Sequence, residues 1–406
     1  MVVAGPRSVI SQFPGVISRV FALMVCVVLV GCASRVPPTV ESPLQTVPPG
    51  EWPALMDDLD PEGLIAATEQ SLSYFDVLPR DRVFTFGTEN RTAGQLAEGA
   101  RRFIQLVRDE PNPEGLAQAL KQEFVLLRSV GRDGRGEVLF TGYYEPLLEA
   151  RREPKFPFEY PVYGVPEDLV MVDLEAFGLE KSPRAVVGRV EDHELVRFAD
   201  REEIDFGDGL ASTTPVLGYL ADPVDVFFLH VQGSGTLIFP DGTRLRAGYA
   251  VSNGWEYRSI GKLLIDDGLI PREEMSMQAI RAYLAAHPDE IKRVLGYNAS
   301  YVFFRPLPSE GGPLGCYGLP VTSGRSIATD RRLFPAPVMA WIEGTMPGPG
   351  GEQTRFSRFV LNQDTGGSIR GPGRVDLFIG AGEEAAGIAG RMNNLGRLYL
   401  FLPSSI

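Results

Sequence analysis

Residues 361–378 place two aspartates on a strand–turn–strand pattern. Asp364 follows a short apolar strand signal and Asp376 lies inside another, with a glycine-rich turn between them. A hairpin-like unit of this kind is expected to hold two carboxyls close together over a groove. A carboxyl crowded by another carboxyl, or by apolar rings, keeps its proton to higher pH and can donate it to a leaving oxygen. The alternative is that both aspartates are turn and cap residues, as most loop aspartates are.

The rest of the chain predicts a mainly β fold with flanking helices. The 45 glycines and 33 prolines favour short strands and many turns over a helical bundle. Residues 61–130 are predicted to be helical, and a helix from Pro271 through Leu284 and a short one from Pro288 are also expected. The helical spacing in 61–130 is carried by Leu96, Ala100, Phe103, Ile104, Val107, Leu116, Leu120, Phe124 and Leu127. Strands are predicted over most of residues 137–254, including a buried apolar strand at 224–231 and a hairpin around the Pro-Asp-Gly turn at 240–242. Strands return after residue 301, with a helix at 383–392 and a glycine-proline loop at 344–351.

The N-terminus predicts an exported, lipid-anchored protein. An apolar run of 11 residues, 20–30, follows Arg19 and is too short to span a bilayer, so residues 1–31 are interpreted as a signal peptide. The Leu-Val-Gly-Cys sequence ending at Cys32 resembles the bacterial lipoprotein cleavage box, which implies lipid attachment to that thiol. The residue after the cysteine is Ala33 and not aspartate, which in many bacteria is typical of lipoproteins sorted to the outer membrane. Residues 32–55 are rich in proline and are predicted to be a flexible tether. The alternative is an ordinary signal peptide with an incidental cysteine.

Charge and cysteine usage exclude several classes of protein. The formal charge is −13, and removal of the signal with its two arginines takes it to about −15. Nucleic-acid binding needs clustered cations and is not expected. Once Cys32 is lipidated and Cys26 has left with the signal, Cys316 stands alone, so no disulfide is predicted and a small packing residue is the favoured interpretation.

No metal or cofactor site is expected. The three histidines His193, His230 and His287 lack ligand neighbours at helical or strand spacing. No serine lies in a nucleophile-elbow pattern. The Gly-Ala-Gly sequence at 380–382 resembles a dinucleotide fingerprint, but no acid follows Glu384 to hold a ribose, so a tight strand-to-helix turn is predicted.

Three polar-aromatic clusters suggest a sugar-binding groove. Aromatic rings suit the apolar faces of sugars, and amides and hydroxyls suit their rims. The alternative is that aromatic residues at strand ends belong to the core. The cluster members include Tyr143, Tyr144, Gln232, Ser234, Tyr249, Asn253, Trp255, Tyr257 and Arg258. Glu145 is a second candidate for the catalytic acid. The alternative, given equal weight, is that Glu145 forms a structural salt bridge.

Six residue runs, in this order, resemble the membrane-bound lytic transglycosylase A family. They are Gly-Tyr-Tyr-Glu-Pro at 142–146, Val-Gln-Gly-Ser-Gly at 231–235, Tyr-Arg-Ser-Ile-Gly-Lys at 257–262, Asn-Ala-Ser-Tyr-Val-Phe-Phe at 298–304, Gly-Arg-Ser-Ile-Ala-Thr-Asp-Arg at 324–331, and residues 363–380. The likeness extends over roughly residues 85–403. The family has a C-terminal module named for three aspartates, which correspond to Asp330, Asp364 and Asp376. Asp376 takes the family's catalytic position, after a slightly longer turn at 371–374.

The resemblance implies the architecture. A double-psi β-barrel domain with helices is expected from residues 56–147 and 305–406, with the three-aspartate module at about 317–403. A second β-rich domain, residues 148–304, is expected as an insertion, and the substrate groove would lie between the two domains.

The resemblance also implies the activity. The family cleaves the β-1,4 bond between N-acetylmuramic acid and N-acetylglucosamine in peptidoglycan and leaves 1,6-anhydromuramic ends. We expect Asp376 to be the single acid and base, Asp364 and Asp330 to support it, and no cofactor to be needed. The expected partners are glycan strands and, through the anchor, the outer membrane on its periplasmic side; association with cell-wall synthases stays open. The competing hypotheses are a non-catalytic peptidoglycan-binding lipoprotein and a hydrolytic muramidase.

Overall fold

The computed structural model describes residues 42–110, 112–179, 185–210, 212–308, 312–348 and 351–404. The predicted signal peptide, Cys32 and the first part of the predicted tether lie outside the described residues. Ser42–Ile406 forms one unit. No helix among the described residues has both the length and the apolar character required to cross a bilayer.

The described residues form 19 strands and nine α-helices. The strands are β1 Leu44–Val47, β2 Val83–Phe86, β3 Glu89–Thr92, β4 Phe124–Ser129, β5 Val138–Glu145, β6 Leu147–Glu149, β7 Tyr160–Tyr163, β8 Val170–Asp173, β9 Ala185–Glu191, β10 Glu194–Arg197, β11 Val216–Leu220, β12 Ser234–Ile238, β13 Arg244–Ser252, β14 Val302–Leu307, β15 Ser326–Ala328, β16 Met339–Pro347, β17 Gln353–Asp364, β18 Arg374–Ala381 and β19 Asn393–Pro403. The α-helices are α1 Pro61–Asp76, α2 Ala93–Asp109, α3 Pro113–Glu123, α4 Arg201–Phe206, α5 Pro223–Gln232, α6 Ile260–Asp266, α7 Met277–Ala286, α8 Ile291–Gly296 and α9 Gly382–Ala389. Short 3₁₀ helices lie at Pro49–Glu51, Glu175–Phe177 and Pro288–Glu290.

Six strands close into a barrel in the order β5-β18-β15-β17-β16-β19. The last strand closes it, because the middle of β19 pairs with β16 while its first residues, from Asn393 to Gly396, pair with β5. The pairs β15–β17 and β5–β18 are parallel, and the other pairs in the barrel are antiparallel. Strands β4 and β1 extend the sheet beyond the second half of β19. The predicted fold class, a barrel with flanking helices and a second β-rich part, is confirmed.

Alternate strand residues fill the barrel and cover its outside. Ala340 and Ile342 of β16 point into the barrel core, while Trp341 between them packs outward with Phe359 under the helices. Helices α1, α2 and α3 cover this outer face with Leu64, Phe103, Leu120 and their neighbours. A capping box between Thr92 and Gln95 starts α2. The helical prediction for residues 61–130 is confirmed for α1, α2 and α3. It is wrong for β2 and β3, which pair as a hairpin, and at Phe124 and Leu127, which belong to β4.

The inserted part is built from smaller sheets and short helices. Its largest sheet has four strands in the order β14-β13-β12-β6, and the smaller sheets have the orders β10-β9-β8 and β11-β7. The predicted hairpin is confirmed as β12 and β13. The predicted buried strand at 224–231 is wrong, because this run is helix α5, which starts at Pro223 under an Asp222 cap and ends at Gly233 with a left-handed φ of 76°.

Two predicted loops are shorter than expected. The end of the predicted 32–55 tether is ordered, since β1 pairs with β4 and the buried Trp52 donates its indole N–H to Val47 O at 3.1 Å. A flexible-tether prediction is therefore wrong for residues 44–55. The predicted loop at 344–351 begins later, because β16 continues to Pro347; Pro349 and Gly350 lie outside the described residues.

Candidate active site

Three neighbouring strands bring Asp364, Ala328 and Asp376 into one row. Ala328 on β15 is the register partner of Asp364 on β17 and of Asp376 on β18. Adjacent strands lie about 4.8 Å apart, so the Cα atoms of the two aspartates are separated by about 10 Å. The predicted hairpin is wrong in its pairing, since β15 lies between β17 and β18, but the two carboxyls still share one patch.

Asp376 faces outward from the barrel. Its neighbours Val375 and Leu377 are buried in the barrel core, so strand alternation turns the aspartate to the other face. Thr141 on β5 is its register partner and lies on the same face for the same reason. The Asp376 side chain is 20% exposed. It is accessible to a ligand without being fully hydrated.

Thr141 and Arg374 hold the Asp376 carboxyl. The Thr141 hydroxyl donates to Asp376 Oδ1, and Arg374 Nε donates to the same oxygen at 3.3 Å. Arg374 Nη2 also donates to Thr141 Oγ1 at 3.0 Å, which closes a three-membered network. Burial raises the pKa of Asp376 above its ordinary value, and Arg374 opposes that rise.

Asp364 is fixed by backbone amides. Its Oδ1 accepts from Cys316 N at 3.0 Å and from Thr365 N at 2.8 Å. Burial raises its pKa to about 6; the two amides and Tyr143 oppose the rise, and Asp376 adds to it. Asp364 therefore titrates near neutral pH but is anchored to the backbone.

Tyr143 places a buried hydroxyl beside both carboxyls. It lies two residues after Thr141 on β5 and packs against Phe378, with ring centroids 5.2 Å apart. Burial, then the nearby Asp364 and Asp376, raise the pKa of Tyr143 well above its usual range. The buried hydroxyl makes no hydrogen bond of standard geometry within the described residues, and its strongest charged neighbour is Asp364.

Asp330 supports the turn that leads into β18. Its buried carboxylate accepts from Gly371 N at 2.9 Å and from Arg332 Nη2 at 2.6 Å. Burial alone would raise its pKa, but the hydrogen bonds from Arg332 and Gly371 lower the pKa of Asp330 to about 2. This aspartate stays ionised and has a supporting position.

Tyr257 approaches Asp376 from the inserted part. The residue is 41% exposed, yet burial raises the pKa of its hydroxyl, and Arg374 and Asp376 both lie within electrostatic range. The barrel supplies the carboxyl, and the inserted part supplies an aromatic hydroxyl near it.

Comparisons with known proteins identify the two parts. The model described as "MltA specific insert domain" matches residues 139–305, and the model described as "3D domain" matches residues 325–402. The membrane-bound lytic murein transglycosylase A of Escherichia coli K12 is 34% identical over 274 residues, which cover 66% of this chain and 67% of the relative. The chain belongs to the lytic murein transglycosylase A family.

Solved structures agree with this family assignment. A membrane-bound lytic murein transglycosylase from Agrobacterium tumefaciens superposes with a TM-score of 0.72 at 32% identity, covering 89% of this chain and 97% of that one. Escherichia coli MltA with bound chitohexaose superposes with a TM-score of 0.70 at 27% identity, covering 90% and 96%.

Other residues predicted from the family-like motifs make local contacts that hold the two parts of the structure. Gln232 Oε1 accepts from Tyr144 N at 3.0 Å, which joins the end of α5 to β5. Tyr144 is buried against α9, and its hydroxyl contacts Met277 Sδ at 3.8 Å. Ser234 begins β12 opposite Gly248. The structure therefore places Tyr144 and Gln232 at a junction between the barrel and the inserted part.

Arg258 and Glu145 are also held by local partners. The Arg258 backbone N–H donates to Asn298 Oδ1 at 3.0 Å, and its guanidinium lies 5.9 Å from the Tyr297 ring centroid. Glu145 is buried, accepts from Thr236 Oγ1 at 3.1 Å and pairs with Arg246 at 4.0 Å. This geometry agrees with the structural salt bridge weighed for Glu145.

Two residues around the carboxyl were not predicted from the sequence. Thr141 and Arg374 each lie two residues from a predicted site residue, Tyr143 and Asp376 respectively. Residues two apart on a strand lie on the same face of the sheet. The spacing of Thr141 from Tyr143, and of Arg374 from Asp376, is therefore the sequence signal that could have identified them. Cys316 lies beside Asp364, and burial raises the pKa of its thiol to about 12, which agrees with a packing residue. No group of three potential metal ligands occurs in the described part of the chain.

Proposed function

We propose that this chain is a peptidoglycan lytic transglycosylase in which Asp376 is the single acid and base. It would cleave the β-1,4 bond between N-acetylmuramic acid and N-acetylglucosamine and form a 1,6-anhydromuramic end. The observation that carries the proposal is a partly buried carboxyl of raised pKa on the outer face of the barrel, held by Thr141 and Arg374. The names of the relatives and the chitohexaose bound to one of them support a glycan substrate.

In the first step protonated Asp376 donates to the glycosidic oxygen. The bond from the muramoyl C1 to that oxygen breaks, and positive charge develops on the sugar ring. A carboxyl that keeps its proton near neutral pH is suited to this task, and a positioned acid contributes about 10²- to 10⁴-fold to the rate. Arg374 and Thr141 stabilise the carboxylate that remains.

In the second step the Asp376 carboxylate takes the proton of the muramoyl C6 hydroxyl. The freed oxygen attacks C1, the anhydro ring closes, and the carboxyl returns to its protonated form. No water is consumed. Glycosidases that hydrolyse need a second carboxyl about 5–9.5 Å from the first to serve as nucleophile or to activate water. Here the substrate supplies the nucleophile.

The supporting aspartates then have positional roles. Asp364 holds the backbone of Cys316 and Thr365 and adds negative charge near Asp376. Asp330 holds the Gly371 turn. Tyr143 and Tyr257 are proposed as sugar contacts on the two sides of the groove. Tyr144, Gln232, Ser234 and Arg258 remain predicted contacts of more distant sugars.

We also propose that the protein is anchored by Cys32 to the outer membrane and faces the periplasm. The chain is acidic, and peptidoglycan carries peptide carboxylates, so long-range attraction cannot recruit it. Lipid attachment would confine it near its substrate instead. Any cell-wall synthase partner would bind this lipid-anchored form of the protein.

Mass spectrometry of digested murein tests the activity. The purified protein is expected to release fragments with anhydro ends, which are one water lighter than the hydrolysed ones. Reducing ends would instead indicate a muramidase, and retention of glycan without fragments would indicate a binding protein. Either result would overturn the proposal.

A further inference from the structure

A basic cavity lies next to the Asp376 carboxyl. It has a volume of about 350 Å³ and is lined by the glycine-rich turn before β18, with Arg132, Arg370 and Arg374 at its wall. This volume falls in the range of small-ligand sites. None of its lining residues is acidic, although the whole chain has a formal charge of −13.

Strand register fixes where the cavity lies relative to the active carboxyl. Arg374 pairs with Leu139 on β5, and Asp376 pairs with Thr141, so the two rows share one face. Residues two apart on a strand are separated by about 6.7 Å. The cavity therefore begins at Arg374, two residues before Asp376 on β18. Arg374 both lines the cavity and contacts the Asp376 carboxyl.

Arg374 is paired with Asp376, whereas Arg132 and Arg370 have no carboxylate partner within the described residues. The Arg132 guanidinium is exposed and has no hydrogen bond or ion pair within the described residues. Arg370 Nη1 donates only to neutral carbonyls, those of Gly366 and Ile369, at 3.0 and 2.9 Å. Two positive charges therefore remain available to an anion.

The floor of the cavity is rigid. Ser129 Oγ donates to Pro372 O at 2.6 Å, Leu139 N donates to Gly373 O at 2.9 Å, and Gly371 N donates to Asp330. Gly373 lies against the backbone of Arg132, where a Cβ atom would come within 2.5 Å of the Arg132 nitrogen. Such a site binds an anion without first having to order its own backbone.

We infer that this cavity binds a carboxylate of the peptide attached to the muramoyl sugar. The inference rests on the proposed function, because it places that sugar at Asp376. The peptide branches from the same ring whose C1 is attacked, and its first acidic residue lies a few bonds away. Arg132 and Arg370 then determine a preference for peptide-bearing glycan.

Kinetics on matched substrates test the inference. The double variant Arg132→Gln/Arg370→Gln is compared with wild type on peptide-bearing glycan strands and on the same strands after enzymatic removal of the peptides. The ratio of kcat/KM between the two substrates is expected to fall about five- to tenfold, as for the loss of two partly exposed ion pairs. Arg135→Gln is the control, since Arg135 is in the same loop and lies outside the cavity. An unchanged ratio in the double variant, or an equal fall in the control, would overturn the inference.

A binding measurement separates this inference from the proposed activity. The Asp376→Asn form is titrated with the γ-methylamide of N-acetylmuramoyl-L-alanyl-D-glutamate, in which the α-carboxylate is the sole free acid, and with the same compound also amidated at that α-carboxylate. Tighter binding of the acid, lost in the Arg132→Gln/Arg370→Gln background, supports the carboxylate site even if no murein is cleaved. Equal binding of acid and amide refutes the site, whatever the enzyme does to murein.

Discussion

Arg374 Nε lies 3.3 Å from Asp376 Oδ1, two residues earlier on the same face of β18. Burial raises the pKa of Asp376, and this guanidinium opposes the rise. The pair would therefore meet both needs of the proposed double role: the carboxyl must hold a proton for the first step and be stable without it before the second. A fully buried, unpaired carboxyl would meet only the first need.

Asp376→Asn is expected to reduce release of anhydro fragments by about 10³-fold or more, because the amide can neither donate nor accept the transferred proton. Glycan binding should persist. Asp364→Asn is the comparison, and a smaller loss is expected because an amide oxygen still accepts from Cys316 and Thr365. Turnover assays and glycan binding on both variants check this. An equal loss in the two variants would contradict the assignment of the acid role to Asp376 alone.

Activity is expected to fall as pH rises through the pKa of Asp376, since only the protonated form donates. Arg374→Gln removes the group that lowers this pKa, so the alkaline limb of kcat/KM should move to higher pH while the maximal rate falls. Arg135→Gln should leave the profile in place. Because Asp364 titrates at about 6 and interacts with Asp376, the apparent values belong to the pair. A shift of the alkaline limb to lower pH in Arg374→Gln would contradict this assignment.

Asp330→Asn is expected to lower the free energy of unfolding at pH 7 by about 1–2 kcal/mol. The folded-state pKa of about 2 lies below the unfolded value of about 3.9. The carboxylate therefore stabilises the fold fully above the unfolded value and loses that contribution as pH falls through about 2. Urea denaturation at several pH values should show the two proteins converging as the pH approaches 2. Arg332→Gln should cost less, because the Arg332 side chain is 65% exposed.

Gly373→Ala is expected to destabilise the protein and to disturb the turn before Asp376. Its new Cβ would approach the Arg132 backbone nitrogen to 2.5 Å and the Arg132 Cα to 2.9 Å, so the two loops would have to separate. Overpacking of this kind typically costs about 1–3 kcal/mol. Gly367→Ala is the matched control in the same turn, where an added Cβ meets no atom within 4 Å. Equal melting temperatures for the two variants would refute the close contact.

Cys32→Ser is expected to reduce lysis of intact cells while leaving activity on purified glycan unchanged. The reason is that the proposed lipid confines the enzyme near the wall and takes no part in the chemistry. Whole-cell lysis and turnover on soluble strands measure the two effects separately. Equal lysis of intact cells by both forms would contradict a recruiting role for the anchor.

Local sequence patterns predicted the site better than the pairing of its strands. Strand signals and a glycine turn were enough to place Asp364 and Asp376 on neighbouring parts of one patch. They were not enough to reveal β15 between the two strands, because its pairing with β17 joins segments far apart in the chain and leaves no local pattern. The six motifs indicated the family because their order, more than any one of them, is specific.

Hydrophobic periodicity gave the wrong secondary structure for one predominantly apolar segment. Residues 224–231 form helix α5 and not a strand, and a short apolar run has no period that distinguishes the two. The deciding signals were the Asp222-Pro223 start and the Gly233 end. Strand Leu44–Val47 was missed for a different reason. Flanking prolines argue against a central strand, but they are tolerated at the edge of a sheet, where β1 pairs only with β4 among the described strands.

Closure of the barrel by β19 links a late segment of the described chain to the active site. Residues Asn393 to Gly396 pair with β5, the strand that carries Thr141. The contact between Thr141 and Asp376 therefore depends on pairing between segments far apart in the chain, so a substitution that loosens this end of β19 is expected to weaken the proposed active site as well as the fold.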